Sequence, residues 1–481
     1  MSTFALVRKK KEAPVLEKVL IEDYAAEGKS LARVDGKVIF VEGAVPGDLV
    51  DVQLQKNKSD WAEGFVKRFH SYSDIRVKPF CTHFGVCGGC QWQMLPYAQQ
   101  LVYKHKQVVD NLTRIAKIPL PEIAPIVGAD KTEGYRNKVE YTFATEKFIP
   151  FEAFRAMKAA GENPQASPGA GGFHARGFFE KVVEIDTCYL QEEPTNLLRK
   201  AVVAFAIENE MPFYNIKQHQ GWLRNMFIRN TTKGEWMVNL ILGYEHKEKR
   251  EALLNSLLAT FPQITTLLYT INTKRNDSMQ DLVPQVFFGD GYISEVLEDF
   301  EFKISPKSFF QTNSKQAEKL YQITRDFAEL TGKEVVYDLY CGTGSIGIFC
   351  SRQAKKIIGV EFVADAIEDA KQNASMNQLQ DCAFFAGDVI DICDDAFFET
   401  HGKPDVIITD PPRAGMHEKL VHKLLAMEAP TIVYVSCNPA TQARDLALLA
   451  EKYTVTKIQP VDMFPHTLHI ENVVQLKRTI K

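Results

Sequence analysis

The hydrophobic pattern of the last third of the chain alternates between helical and strand periods. From about residue 314, the amphipathic stretch SKQAEKLYQITRDFAEL leads into short apolar runs separated by further helical stretches. These runs are EVVYDLY, KIIGVE, CAFFAGD, DVIITD and TIVYVS, followed by the closing strands YTVTKIQPV and ENVVQLKR. Apolar strands alternating with helices are typical of a parallel sheet covered on both faces. We therefore predict an α/β fold with a Rossmann-like sheet in a domain spanning 301–481.

The first part of the chain has a different period. Residues 15–70 hold short β-type runs separated by Gly, Pro and Asp turns, with a hairpin signal at Asp35-Gly36. This pattern predicts a small closed β-barrel over 1–72, similar to oligonucleotide-binding barrels of about five strands. The cations expected on its surface are Lys56, Lys58, Lys67 and Arg68.

A mainly β central domain is predicted over 73–300. A helical stretch at 96–118 precedes runs that are strand-like between 135 and 290. The segment 159–173, AAGENPQASPGAGGF, is rich in Gly, Ala and Pro and has little to bury, so we predict a mobile loop inside this domain.

Composition limits the class of protein. The 481 residues are 45% hydrophobic and 25% charged, as in ordinary globular proteins, and no apolar run approaches the roughly 18 residues of a membrane span. The first residues lack the apolar region of a signal peptide, and nine unevenly spaced cysteines fit a reducing compartment. We expect a cytoplasmic monomer without a membrane partner.

Charge is unevenly distributed along the chain. The net charge is −4, yet residues 1–117 carry 18 basic and 13 acidic residues, which leaves −9 for the remainder. A basic N-terminal part suggests contact with a polyanion, and a solvated lysine surface is the alternative.

Acidic residues follow the predicted strands of the C-terminal domain. The turn DLYCGTGSIG (338–347) begins with Asp338, and Glu361, Asp388 and Asp410 end later strands. A glycine turn lets a ligand approach the backbone, and a strand-end carboxylate can bind ribose hydroxyls. The set resembles the motifs of class I S-adenosylmethionine methyltransferases. An NAD-dependent oxidoreductase is the alternative for such a turn.

Two further motifs bear on the atom that would be methylated. The sequence Asp410-Pro411-Pro412-Arg413 resembles the D/N-P-P-aromatic motif of amino-group methyltransferases, but Arg413 stands where the aromatic residue should be. Cys437 ends the next strand ahead of a helix that Asn438 can cap. A helix N-terminus lowers the pKa of a thiol, so we expect a reactive thiolate, with a packed cysteine as the alternative.

Several segments together resemble one family. SCNPAT (436–441), FPHTLHIENV (464–473), SPKSFFQTNS (305–314), YRNKVEYTF (135–143) and a cysteine cluster at 81–90 are similar to the RNA uracil-5-methyltransferases. This likeness covers nearly the whole chain. It implies S-adenosylmethionine as methyl donor, RNA as partner and an N-terminal barrel of the TRAM type.

The resemblance also implies roles for individual residues. Cys437 would be the nucleophile that adds to carbon 6 of uracil, Glu471 the general base that releases it, and Asp410 a carboxyl group facing the base. The residues expected to hold the cofactor are Gln311, Tyr340, Gly342, Glu361, Asp388 and Asp410. Phe309 would stack near the target base, with a core phenylalanine as the alternative, and Arg136 and Lys138 would contact phosphates.

The cysteine cluster has the spacing of a four-thiolate site. CTHFGVCGGC provides Cys81, Cys87 and Cys90, and EIDTCYL provides Cys188. From the residues alone, zinc and an iron-sulfur cluster both remain possible. The resemblance favours a [4Fe-4S] cluster with a structural role, as in the ribosomal RNA branch of the family. Cys341, Cys350, Cys382 and Cys393 are predicted to be packed residues.

The leading hypothesis is methylation of carbon 5 of a uridine in 23S ribosomal RNA through a covalent cysteine adduct. The alternatives are uridine methylation in tRNA, amino-group methylation through the DPP motif, and a non-catalytic RNA-binding or ribosome-assembly factor.

Overall fold

The computed structural model describes residues 14–25, 28–163 and 168–479. These residues form two compact units. One unit runs through Phe80 and includes Gln91–Tyr103, and the other comprises Cys81–Cys90 and Lys104 onward. The domain boundaries placed after 72 and after 300 stay predictions. In the described ranges, no helix is long and apolar enough to cross a membrane.

The first unit is a small β-structure. Its strands are β1 (Val15–Leu20), β2 (Asp23–Tyr24), β3 (Ser30–Val34), β4 (Lys37–Glu42), β5 (Leu49–Asn57) and β6 (Trp61–Ser71). They pair in the order β1-β5-β6-β4-β3-β2, one strand more than the sequence suggested. The predicted hairpin joins β3 and β4, where Asp35 and Gly36 both adopt positive φ angles, 49° and 79°. Val41, Val50 and Ala62 lie in its buried core.

The central part of the second unit contains a seven-stranded sheet. Helix α1 (Tyr97–Asn111, followed by one π-helical turn, Leu112–Ala116) precedes this sheet along the chain, and its residues before Lys104 belong to the first unit. The elements that follow are β7 (Lys138–Ala144), α2 (Phe151–Ala159), β8 (Ala170–Ala175), β9 (Phe178–Glu184), α3 (Thr195–Glu208), β10 (Leu223–Asn230), β11 (Trp236–Leu242), α4 (Lys247–Thr260), β12 (Ile264–Ile271) and β13 (Gln285–Phe288). The strand order is β13-β12-β11-β10-β7-β8-β9. A hairpin of β14 (Ile293–Leu297) and β15 (Phe300–Ile304) follows.

Helix α1 and most strands of the seven-stranded sheet were predicted, but β8 and the helices α2, α3 and α4 were not. Leu198 and Val202 of α3, and Leu253 and Leu257 of α4, pack into the apolar core of the sheet. The predicted loop 159–173 is shorter than expected, since α2 extends to Ala159 and β8 begins at Ala170. Residues 164–167 lie outside the described part of the chain.

The C-terminal part has the predicted α/β architecture. Its elements are α5 (Ser314–Ala328), β16 (Val335–Leu339), α6 (Ser345–Cys350), β17 (Lys356–Glu361), α7 (Ala364–Met376), β18 (Cys382–Ala386), α8 (Val389–Ile392), α9 (Asp395–His401), β19 (Val406–Thr409), α10 (Glu418–Met427), β20 (Thr431–Ser436), α11 (Pro439–Leu449), β21 (Tyr453–Val461) and β22 (Glu471–Arg478). The strand order is β18-β17-β16-β19-β20-β22-β21. Separate apolar clusters cover its two faces, so both sides of the strands are buried as the sequence predicted.

Strand β22 is antiparallel to β20, and the register between these two strands positions the start of β22. Ser436 at the end of β20 pairs with Asn472, the second residue of β22. Buried Gln442 of α11 locks this pairing, because its Nε2 donates to the carbonyl oxygens of Tyr434 and Asn472 at 2.9 and 3.1 Å. Its Oε1 accepts from Asn472 Nδ2 at 2.7 Å. The start of β22 therefore lies beside the carboxyl end of β20.

A buried ion pair anchors the loop between β21 and β22. Lys104 Nζ lies 2.6 Å from Asp462 Oδ1, and both side chains are fully buried. Lys104 Nζ also donates to the Phe464 carbonyl oxygen at 3.2 Å, and Tyr135 Oη donates to that of Pro465 at 2.9 Å. A buried charge without its partner is costly, so this pair holds the loop firmly in place.

Candidate active site

The carboxyl edge of the C-terminal sheet brings three of the predicted residues together. Asp410 follows β19, Cys437 follows β20, and Glu471 begins β22. Their charges act on one another, since Glu471 and Asp410 both raise the pKa of Cys437, and Glu471 also raises that of Asp410. A thiol and two carboxyl groups therefore share one site, as the sequence motifs indicated.

The pKa of Cys437 is opposite to the expected direction. Asn438 caps α11 as predicted, accepting a hydrogen bond from Ala440 N at 3.1 Å. Burial, Glu471 and Asp410 nevertheless raise the pKa of the Cys437 thiol to about 12, although Arg413 lowers it. The expectation of a resting thiolate was wrong, because desolvation and two negative neighbours outweigh the helix terminus.

Asp410 is half-buried, and its surroundings raise its pKa. Burial is the main cause, and the charges of Glu471 and Asp338 also raise its pKa well above the usual range for a carboxyl group. A carboxylic acid that stays neutral can donate a hydrogen bond, as an ionised carboxylate cannot.

Glu471 is buried, with 4% of its surface exposed. Its Oε1 lies 2.8 Å from His469 Nε2, while its Oε2 has no hydrogen-bond partner among the described residues. A buried carboxylate oxygen without a partner is unusual in a folded protein and is suited to accept a proton from a ligand. The neighbouring histidine was not identified from the sequence, although the H-x-E spacing on an extended segment could have indicated it.

The glycine turn provides a place for a nucleoside cofactor. Asp338 Oδ2 accepts from Gly347 N at 2.8 Å, and Glu361 Oε2 accepts from Gly342 N at 3.3 Å. Gly342 has a φ of 53°, and no atom lies within 4 Å of the position of a side-chain carbon there. Tyr340 also adopts a positive φ, 61°. The open backbone beside Glu361 fits a ligand that carries ribose hydroxyls.

Two other predicted cofactor residues differ in their surroundings. Asp388 is exposed and caps the short helix α8, accepting from Ile390 N at 2.8 Å. Its charge raises the pKa of half-buried Tyr340, so the two side chains are close. Gln311 is buried, and its carbonyl oxygen accepts from Asn137 Nδ2 at 3.2 Å. Asp388 is therefore open to solvent near the glycine turn, whereas Gln311 is enclosed by protein.

Phe309 is 70% exposed. The alternative that it is a core residue was therefore wrong. A large exposed ring two residues from Gln311 is available to stack on a planar ligand.

The two predicted phosphate contacts are partly buried. Arg136 donates from Nε to the Lys138 carbonyl oxygen at 2.9 Å, and its guanidinium lies 5.9 Å from the centre of the Phe464 ring. Burial and the nearby charges of Arg229 and Arg136 lower the pKa of Lys138 to about 8. The positive charge of Lys138 is therefore not balanced by the carboxylates around it. A bound anion would stabilise the charges of this basic cluster.

Tyr321 on α5 is a further residue of the site that the sequence did not reveal. Its hydroxyl lies 3.0 Å from Ser345 Oγ. Burial raises the pKa of Tyr321, and the charges of Asp410, Asp338 and Glu471 raise it further. Its position in the middle of a helix gave no signal of this contact.

The four cysteines of the predicted cluster are half-buried. The segment Cys81–Cys90 belongs to the second unit. There the backbone of Cys87 forms an isolated antiparallel β-bridge with Ala175, and Arg176 N donates to the Val86 carbonyl oxygen at 2.9 Å. Burial raises the pKa of Cys188 to about 11, with further contributions from Cys87 and Cys81. The thiols thus approach one another, although the described residues contain no preformed group of metal ligands.

The packed-cysteine prediction holds for most of the others. Cys341, Cys350 and Cys393 are buried, and Cys382 is half-buried.

Three family models match parts of the chain, and proteins of other organisms are similar to nearly all of it. Residues 395–479 match the tRNA (Uracil-5-)-methyltransferase model, 322–432 the Methyltransferase small domain and 17–67 the TRAM domain. The chain is 51% identical over 456 residues to an RNA methyltransferase of Bacteroides thetaiotaomicron, covering 94% of this chain and 99% of that one. An RNA methyltransferase of Porphyromonas gingivalis is 47% identical, with coverage of 95% and 99%.

A solved structure is similar over nearly the whole length. It is the tRNA (uracil-54, C5)-methyltransferase of Pyrococcus abyssi in complex with S-adenosyl-L-homocysteine. The TM-score is 0.73 at 27% identity, and the likeness covers 95% of this chain and 100% of that one.

The raised pKa of Cys437 predicts how its alkylation depends on pH. Because the thiol is protonated near neutrality, the rate with iodoacetamide should rise about tenfold per pH unit from 7 to 10 without a plateau. Peptide mass spectrometry measures this rate at Cys437. Glu471→Gln removes a negative neighbour and should speed the reaction at pH 8, while Glu451→Gln, at an exposed position, should not. A rate that levels off below pH 8 would show a resting thiolate instead.

Proposed function

We propose, on the premise that the chain belongs to the RNA uracil-5-methyltransferase family, that it methylates carbon 5 of a uridine through a covalent adduct with Cys437. The chain is an S-adenosylmethionine-dependent RNA methyltransferase of that family. The observation that carries the finer proposal is the placement of the Cys437 thiol beside buried Glu471, whose Oε2 has no partner among the described residues.

The first step follows from the weak nucleophilicity of uracil carbon 5. Addition of the Cys437 sulfur to carbon 6 forms a C–S bond and moves the ring electrons toward carbon 5 and oxygen 4. The thiol must lose its proton, and the Glu471 carboxylate is the neighbouring acceptor. Neutral Asp410 donates a hydrogen bond that stabilises the negative charge developing on the base.

The last step releases the product. After carbon 5 has gained the methyl group, Glu471 Oε2 takes the proton that remains on this carbon. The C–H electrons form the C5–C6 double bond, the C6–S bond breaks, and its electron pair stays on the Cys437 sulfur. The same carboxylate thus serves both halves of the reaction.

The cofactor would lie along the carboxyl edge of the sheet. Glu361 would bind the ribose, the open turn at Gly342 would let the cofactor contact the backbone, and Tyr340, Gln311 and Asp388 would line its site. When bound, S-adenosylmethionine supplies a sulfonium methyl group. A cofactor bound beside Asp410 would lie next to the residue that we propose faces the base.

The substrate base must be unpaired to reach this site. Flipping a base out of a structured RNA costs a few kcal/mol, which stacking and phosphate contacts can offset. Exposed Phe309 would stack on the flipped region, and Arg136 and Lys138 would bind the backbone. The TRAM domain, with Lys56 62% exposed, would add a sequence-independent contact to RNA.

Removing either catalytic side chain should have a distinct effect. Glu471→Gln should form the methylated, denaturant-resistant protein–RNA adduct more slowly, because the thiol must then lose its proton to solvent. The adduct should nevertheless accumulate, because carbon 5 keeps its proton and release of the product slows about 10²- to 10⁴-fold. Cys437→Ala should form neither adduct nor 5-methyluridine. Gel electrophoresis with labelled RNA and nucleoside analysis measure both.

The matched control is Cys382→Ala on the outer strand β18, which should retain activity. If Cys437→Ala still makes 5-methyluridine, the covalent mechanism is wrong. If tritium at uracil carbon 5 is retained while RNA gains methyl groups, amino-group methylation is the reaction. Tight RNA binding with no methyl transfer would identify a non-catalytic factor.

The proposed target is a uridine in 23S ribosomal RNA, because the cysteine cluster resembles that of the ribosomal RNA branch. The tRNA alternative is supported by the Pyrococcus abyssi structure, a tRNA (uracil-54, C5)-methyltransferase. Mapping 5-methyluridine in both RNAs, with and without the gene, separates the two. We expect loss of a site in 23S RNA, and loss confined to tRNA would contradict the proposal.

We also propose that Cys81, Cys87, Cys90 and Cys188 hold a [4Fe-4S] cluster that stabilises the central region. The charges of Cys81 and Cys87 act on Cys188, Cys90 follows Cys87 by three residues, and the four thiols would meet the ligand requirement of the cluster. Docking of 81–90 onto β8 fits a structural role. Protein purified anaerobically should contain about four iron and four sulfide per chain. Cys87→Ser should lose them and Cys382→Ser should not. Stoichiometric zinc without iron would contradict the cluster.

A further inference from the structure

Proton balance in the proposed reaction requires a path out of the active site. Each turnover releases one proton from the Cys437 thiol and one from carbon 5, while only one returns to the departing sulfur. If Glu471 accepts the thiol proton, it must lose that proton before it can take the second. Buried Glu471 therefore has to discharge a proton in every cycle.

The geometry provides one such path. His469 Nε2 lies 2.8 Å from Glu471 Oε1. The other oxygen of the same carboxylate, Oε2, has no hydrogen-bond partner among the described residues. The side chain of His469 is 24% exposed, whereas that of Glu471 is 5% exposed. The imidazole therefore connects the buried carboxylate to solvent by a single hydrogen bond.

The loop holds His469 in this position. Its backbone N donates to Thr467 Oγ1 at 3.2 Å, and Thr467 Oγ1 donates to the Phe464 carbonyl oxygen at 2.8 Å. The rings of Phe464 and His469 meet edge-on with centres 4.7 Å apart. Because Lys104 and Asp462 anchor the same loop, the imidazole is fixed relative to β22.

We propose that His469 is the proton exit of the active site and the positioning residue of Glu471. After Glu471 takes a proton on Oε2, its carboxyl group turns to present this proton to Nε2 of an imidazole that carries hydrogen on Nδ1. The imidazolium that forms gives its Nδ1 proton to solvent, and the hydrogen bond from Nε2 to the ionised carboxylate again directs the other oxygen at the substrate. The inference rests on the proposed function, since it assigns His469 a part in both proton transfers.

Single-turnover reactions with His469→Gln and His469→Ala test this. A glutamine can donate a hydrogen bond to Glu471 but cannot carry its proton. Formation of the methylated adduct should change by less than about threefold, and its decay to 5-methyluridine should slow about ten- to a hundredfold. Added imidazole should restore the decay rate of His469→Ala and leave that of Glu471→Gln unchanged.

The control is His422→Gln, at an exposed histidine of α10, which should release product at the normal rate. Release by His469→Gln at the wild-type rate would overturn the proton-exit role, as would absence of rescue by imidazole in folded His469→Ala. The proposed function fails separately: in that case Glu471→Gln itself would trap no methylated adduct.

Discussion

The antiparallel pairing of β22 with β20 is the constraint on which the active site depends. Parallel strands place Asp410 and Cys437 at the carboxyl edge of the sheet, but a residue from a strand's beginning reaches that edge only if the strand runs the other way. The pairing of Ser436 with Asn472 does this for Glu471. A slip of one residue would turn Glu471 to the opposite face of the sheet, so Gln442 protects function by fixing register.

The same constraint sets the electrostatics of the site. Burial and the charges of neighbouring carboxyl groups raise the pKa values of Cys437 and Asp410. In the adjacent glycine turn, burial and the charge of Glu361 raise the pKa of Asp338 to about 7. The Cys437 thiol is therefore protonated in the resting site and must lose its proton before it can act as a nucleophile. Catalysis in such a site depends on where each proton goes, which gives Glu471 and its hydrogen bond to His469 their importance.

Sequence periodicity predicted the C-terminal sheet well, because buried parallel strands are continuous apolar runs. It missed α3 and α4. Their apolar faces pack on the seven-stranded sheet, of which the sequence predicted individual strands but not the sheet itself. The motifs located Cys437, Glu471 and Asp410. They could not give the pKa of Cys437, which depends on two carboxyl groups that are 27 or more residues away in sequence but adjacent in the fold. Tyr321 was missed for the same reason.

The central claim is the bond between Cys437 and carbon 6 of the base, and RNA containing 5-fluorouridine tests it most directly in the unmodified protein. Fluorine at carbon 5 cannot leave as a proton, so release is blocked after methyl transfer. Mass spectrometry of the digested complex should find the Cys437 peptide joined to a nucleoside that carries both fluorine and the new methyl group. A methylated product without a protein link, or a link at another cysteine, would contradict the account.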